Sequence, residues 1–81
     1  MTDSPAHRAI EAAFLAHGWY DLELLGEVDF YLVVAKDFAQ LHDLVFRRAR
    51  EESTTRPDSP EARFWLTLRA GLAEIGTEAG L

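Results

Sequence analysis

The apolar residues of the chain recur at two different periods, and the change of period divides the chain into predicted elements. Residues 5–17 and 60–75 carry apolar side chains three and four positions apart, the spacing of one helix face. Each segment begins with Ser-Pro, in which serine caps a helix and proline takes the first helical position. Gly18 and Gly76 then act as stop signals. The pattern predicts helices over 5–17 and 60–75 and a flexible tail over 76–81.

A third helix is predicted over residues 38–52. Asp37 and Gln40 have the spacing of a capping box at its start. The apolar residues that follow repeat at helical spacing: Phe38, Leu41, Leu44 and Val45. The next stretch, STTRPDSP, has few apolar residues and two prolines, so an exposed loop is predicted over 53–59.

Between the first and third helices the period changes to two. Residues 27–35 are rich in β-branched and aromatic side chains, which favours a strand. Pairing them with 19–24 through a three-residue loop opposes residues of like character and puts Gly26 where such a loop needs a left-handed residue. We therefore predict strands over 19–24 and 27–35 and an α+β fold of a single domain, in the order α-β-β-α-α. The apolar face of this antiparallel hairpin packs on the helices through Tyr20, Leu22, Val28, Phe30 and Leu32.

An all-α fold with a long central helix is the alternative. Apolar residues from Phe30 to Val45 also fit a helical stripe, so one helix from Glu27 to Glu52 is compatible with the same pattern. In that case Gly26 ends a short preceding helix. The hairpin is preferred because strand propensity and register agree.

The hairpin register places an acidic face on the side away from the helices. Like charges lie directly opposite one another on it, which destabilises a sheet unless solvent screens them. A solvated outer surface is the structural explanation, and a patch for a basic partner is the functional one. Exposed aromatic residues beside charge are typical of interfaces. Six side chains form this predicted partner-binding face: Trp19, Asp21, Glu23, Glu27, Asp29 and Tyr31.

The charge distribution argues against direct nucleic-acid binding. The net charge of the 81 residues is −6, and residues 1–46 hold eight acids against only two bases. This half should repel phosphates. The basic cluster Arg47-Arg48-Ala49-Arg50 is short, and its place near a helix C-terminus is explained by the helix dipole.

Residue types and spacings exclude several kinds of site. The chain has no cysteine, which rules out disulfides and thiolate zinc sites. The three histidines have no metal-ligand spacing and the acids no EF-hand spacing, so neither metal nor cofactor is expected. No serine lies in a nucleophile elbow, and no catalytic residue is predicted. No apolar run is long enough for a membrane span and the N-terminus lacks a signal-peptide pattern, which predicts a cytoplasmic protein without a membrane partner.

These features predict a non-enzymatic, small acidic protein-binding module. We expect an inhibitor, antitoxin or anti-defence type of protein that blocks a basic surface of a larger, nucleic-acid-handling partner. A second copy of the chain is another expected partner, in a homodimer formed through the hairpin or the last helix. One alternative is an accessory or assembly subunit that acts through apolar helix residues: Phe46, Phe64, Trp65 and Leu66. The other is a hydrolase that holds a divalent ion with the four clustered carboxylates.

Overall fold

The fold consists of α-helices joined by short connections. A computed structural model describes residues 5–19 and 21–78. Within these ranges the helices are α1 (Pro5–His17), α2 (Leu22–Val34), α3 (Phe38–Thr55) and α4 (Pro60–Glu78). The described residues contain no strand. The class is therefore all-α, and the predicted α+β fold with the order α-β-β-α-α is wrong.

Helix α2 occupies the segment for which the hairpin was predicted. Its start is set by Asp21, whose side chain accepts a hydrogen bond from the Leu24 backbone N–H at 3.2 Å. Such an N-cap satisfies a backbone donor that the first helical turn leaves free. Leu24 and Val28, four residues apart, then bury one side of the helix. Strand propensity is weak compared with this capping and burial, and for that reason the strands over 19–24 and 27–35 do not form.

The alternative of one helix from 27 to 52 is correct in class but wrong in connectivity. The chain leaves the helix at Ala35, which has extended backbone angles (φ −73°, ψ 127°). Asp37 is extended as well and accepts from the Gln40 N–H at 2.9 Å, while the Gln40 side chain accepts from the Lys36 N–H at 2.8 Å. These local hydrogen bonds start α3 at Phe38 and separate it from α2.

Two helices extend further than their sequence patterns predict. Helix α3 continues to Thr55, so only 56–59 of the predicted loop 53–59 lies outside a helix. Helix α4 continues through Gly76, which is buried against Phe38, and ends at Glu78. The predicted flexible tail over 76–81 is thus wrong for 76–78, and its last three residues lie outside the described ranges. The predicted Ser4 cap and the core position of Tyr20 also lie outside them.

Helix α4 forms the centre of the fold. Helices α1 and α3 pack on it from two sides, and α2 packs mainly on α3 at the edge. Trp65 of α4 is fully buried, with Phe64 beside it at a ring-centroid distance of 5.1 Å. Gly71 lets α1 approach closely, since a Cβ there would lie 3.2 Å from the Ala9 Cβ. The edge position of α2 leaves its outer side open to solvent.

The length and apolar character of the helices decide whether one of them could cross a membrane. None of the helices in the described part of the chain combines the length and the apolar character that crossing a bilayer requires. The longest, α4, has 19 residues, but Glu61, Arg63 and Arg69 interrupt its apolar positions.

Candidate functional site

The six residues of the predicted partner-binding face do not share one face. A helix repeats every 3.6 residues, so the alternation that would align them on a strand separates them on α2. Trp19 is partly exposed and stacks on Phe14 at 5.0 Å, while the half-buried Tyr31 ring lies 5.6 Å from Trp65. Burial and the negative charge of Glu27 raise the pKa of the Tyr31 hydroxyl. The common acidic face expected from the hairpin is therefore wrong.

Asp21 joins the end of α1 to the start of α2. Besides capping α2, its carboxylate contacts His17, with 2.8 Å between Nε2 and Oδ2. The hydrogen bond with His17 and the one from the Leu24 N–H lower the pKa of Asp21. The sequence analysis identified no partner for His17, because Asp21 lies beyond the end of α1.

A network centred on Arg48 connects α2 to α3. The guanidinium Nε donates to Glu27 at 2.5 Å, and Nη1 donates to Glu51 at 2.8 Å and to Glu52 at 2.6 Å. Glu27 and Glu52 raise the pKa of Arg48, with the hydrogen bond to Glu27 contributing most. Glu52 is only 4% exposed, and its ion pair with Arg48 offsets part of the cost of burying the carboxylate. Arg48 also lies 5.7 Å from the centre of the Trp65 ring.

The network forms one wall of a polar cavity of about 370 Å³ between α2, α3 and α4. We call it the acidic cavity, because five carboxylates and only two guanidinium groups line it. Its lining residues are Asp21, Glu23, Leu24, Glu27, Arg48, Glu52, Arg56, Glu61 and Trp65. Three of the four acids of the predicted face therefore do meet, together with acids from α3 and α4, whereas Asp29 lies elsewhere.

Two buried polar atoms of the acidic cavity lack a hydrogen-bond partner among the described residues. They are Oε1 of Glu52, an acceptor, and Nε1–H of Trp65, a donor. A buried polar group without a partner costs about 1–3 kcal/mol. Glu52 Oε1 can therefore still accept a hydrogen bond, and Trp65 Nε1–H can still donate one.

Two residues of the acidic cavity, Asp21 and Glu61, join His17 of α1 in a candidate ligand set for a cation. Side-chain donor atoms of His17, Asp21 and Glu61 all lie within 4.8 Å of one another. They come from the end of α1, the cap of α2 and the first turn of α4. Sequence spacing does not reveal this set, since Glu61 is far from the other two along the chain and reaches them only through helix packing.

A second surface of interest is the outer face of α2. Leu22, Gly26, Phe30 and Val33 follow one another along this side of the helix, and Val34 adjoins them. The side chains of Leu22, Phe30 and Val33 are 74%, 60% and 81% exposed. Two exposed acids, Glu23 and Asp29, lie at opposite edges of this apolar strip, as helical spacing requires.

The apolar residues suggested for an accessory subunit do not form such a surface. Phe64 and Trp65 are buried in the core of the chain itself. Leu66 is half-buried, and the exposed Phe46 lies under the Arg69 guanidinium, 5.0 Å from the ring centre. A partner helix therefore cannot contact these four residues together.

Comparison with known proteins adds no assignment. No protein-family model matches the chain, and neither a curated protein nor a solved structure matches it.

Proposed function

We propose that this protein is a non-enzymatic binding module that docks through the outer face of α2 onto a larger protein with a basic surface. The exposure of Leu22, Phe30 and Val33 carries the proposal. Single exposed apolar residues are common on protein surfaces, but a contiguous strip is typical of an interface. Helix α2 is apolar on its buried side as well, and a helix with two apolar sides is typical of one that is covered on both.

Charge favours a basic partner over a second copy of the chain. Glu23 and Asp29 take part in no ion pair of the described residues, and the whole chain has a net charge of −6. Basic groups beside an apolar contact would complement both edges of the strip. In an antiparallel homodimer centred on Gly26, Leu22 would meet Phe30 of the second copy. The same symmetry would place Glu23 against Asp29 of the second copy, which is unfavourable.

The mechanism we propose is docking in two stages. The acidic edges speed the approach of a positively charged surface, and the apolar centre then slows dissociation by excluding water. An inhibitory role against a nucleic-acid-handling protein and a cytoplasmic location remain predictions from composition and charge.

A displayed library of amphipathic helical peptides with randomised charged positions tests the proposal. Selected on the full chain, the library should yield peptides with Lys or Arg on either side of an apolar stripe. Val33→Asp should weaken the selected peptides at least about tenfold, equivalent to about 1.4 kcal/mol. The matched control is Leu15→Asp, which places the same charge at an exposed apolar position of α1 and should leave affinity unchanged.

Two results would contradict the proposal. One is enrichment of peptides that bind both variants as well as the unmodified chain, because the interface would then lie elsewhere. The other is sedimentation of a dimer that Val33→Asp dissociates, which would identify a second copy as the occupant.

Reversal of both edge charges (Glu23→Lys with Asp29→Lys) should slow association with basic peptides and reduce its salt dependence.

A further inference from the structure

Docking through α2 gives the carboxylates and the two unpartnered buried atoms of the acidic cavity no role. We infer that His17, Asp21 and Glu61 bind a hydrated divalent cation of the Zn²⁺ type at the junction of α1, α2 and α4. The inference is independent of the proposed docking function, since none of the three ligands belongs to the apolar strip of α2.

The first observation is the geometry of the ligand set. One imidazole and two carboxylates form a donor set suited to zinc and related ions, whereas calcium and magnesium prefer oxygen ligands alone. With zinc–ligand distances of about 2.0–2.2 Å, tetrahedral ligand atoms lie about 3.3–3.6 Å apart. The three donor atoms are already within 4.8 Å of one another, and 2.8 Å separates His17 Nε2 from Asp21 Oδ2. The separations between the donor atoms therefore lie in the range around the tetrahedral value.

The second observation is independent of the ligand set and concerns the cavity wall. Glu52 is 4% exposed and Trp65 is fully buried, yet Glu52 Oε1 and Trp65 Nε1–H have no hydrogen-bond partner among the described residues. Both residues line the cavity that Asp21 and Glu61 also line. Arg48 and Arg56 approach only the other oxygen of Glu52, at 2.6 and 3.9 Å.

These two atoms favour a hydrated metal ion over an organic cation. An ammonium or guanidinium group donates hydrogen bonds but accepts none, so it could satisfy Glu52 but not the Trp65 N–H. Water on a metal ion donates through its hydrogens and accepts through its oxygen. Three protein ligands leave at least one coordination position for such a water. The excess of carboxylates over guanidinium groups around the cavity favours a positive ion there.

Calorimetric titration of the metal-stripped full chain with zinc chloride is the primary experiment. We expect one saturable site per chain and much weaker binding of magnesium and calcium. Glu61→Gln should weaken zinc binding at least about tenfold, because it removes a charged ligand. Glu74→Gln is the matched control: it makes the same substitution at an exposed position of the same helix and should leave affinity unchanged. Circular dichroism verifies that both variants fold.

Two-dimensional NMR of the indole N–H groups tests the second observation directly. The chain has two tryptophans, so two indole resonances are expected, and Trp19→Phe assigns them. Zinc should shift the Trp65 resonance, the observation on which the test depends. His17→Gln should abolish the shift, whereas His42→Gln should preserve it.

Three outcomes would overturn the inference. The first is the absence of zinc binding, which would leave a cavity that holds solvent only. The second is zinc affinity that Glu61→Gln and Glu74→Gln alter equally. The third is magnesium binding as tight as zinc binding and insensitive to His17→Gln, because the imidazole would then not be a ligand. None of these outcomes alters peptide selection on the outer face of α2, so failure of the metal site is distinguishable from failure of the docking proposal.

Discussion

Replacement of Gly26 by alanine should stabilise the protein, because this glycine lies inside α2 with open space around it. A Cβ at this position would have no atom within 4 Å outside the helix itself. Glycine in a helix interior costs about 0.5–1 kcal/mol relative to alanine, through the greater freedom of the unfolded backbone. Gly26→Ala should therefore raise the free energy of unfolding by this amount. For a chain of this size, that raises the Tm by about 2–8 °C.

The sign of the effect distinguishes a helix from a hairpin at this segment. At the left-handed corner of a three-residue hairpin loop, alanine in place of glycine would instead cost about 1–2 kcal/mol. Urea unfolding and thermal melting, both followed by circular dichroism at one pH, measure the change. Gly71→Ala is the control, because its Cβ would lie 3.2 Å from that of Ala9 and close contact should offset the gain in propensity. A less stable Gly26→Ala protein would refute the helical assignment of α2.

Three further predictions concern the buried charge, the core and the acid stability. Arg48→Met should lower the free energy of unfolding by about 3–5 kcal/mol, because it leaves the buried Glu52 carboxylate without its cationic partner, and adding Glu52→Leu should recover much of this loss. A loss below about 0.5 kcal/mol for Arg48→Met in urea unfolding would contradict this. Phe14→Ala should lower the free energy of unfolding by about 3–5 kcal/mol, whereas Leu15→Ala, at the exposed neighbouring position, should change it by no more than about 0.5 kcal/mol. Equal losses for the two variants in urea unfolding would refute the assigned core. The pKa of Asp21 is lowered from an ordinary value of 3.8, so the ionised carboxylate contributes to folding stability above that pH, and this contribution is lost as the pH falls through the lowered pKa. The free energy of unfolding of Asp21→Asn should therefore fall less steeply in this acid range than that of the unmodified protein. Parallel pH profiles of the two proteins would contradict the role of the charge.

The sequence by itself determined the places where three of the helices begin or end. Gly18 follows α1 with a φ of 118°, the left-handed conformation that stops a helix. Asp37 starts α3 through a hydrogen bond from a backbone N–H three residues on, and Ser59 does the same for α4 at 3.0 Å. These signals can be read from the sequence because each depends on residues close together along the chain.

Tertiary structure alone decided whether residues 22–34 form a helix or a hairpin. The predicted hairpin and the observed helix both bury Val28, and a short apolar segment fits the periodicity of a strand as well as that of a helix. Packing on α3, with Arg48 bound to Glu27 across the contact, stabilises the helical choice. The effect of a contact with a residue distant in sequence does not appear in local propensity.

The candidate sites show the same division. The apolar and acidic residues of α2 are visible in the sequence, but which of them face outward depends on the period that packing selects. The junction of His17, Asp21 and Glu61 exists only because three helix ends meet. Side chains that are far apart along the chain become neighbours because the helices pack together to bury Trp65 and the core around it. Only the tertiary structure therefore decided which residues form the candidate sites.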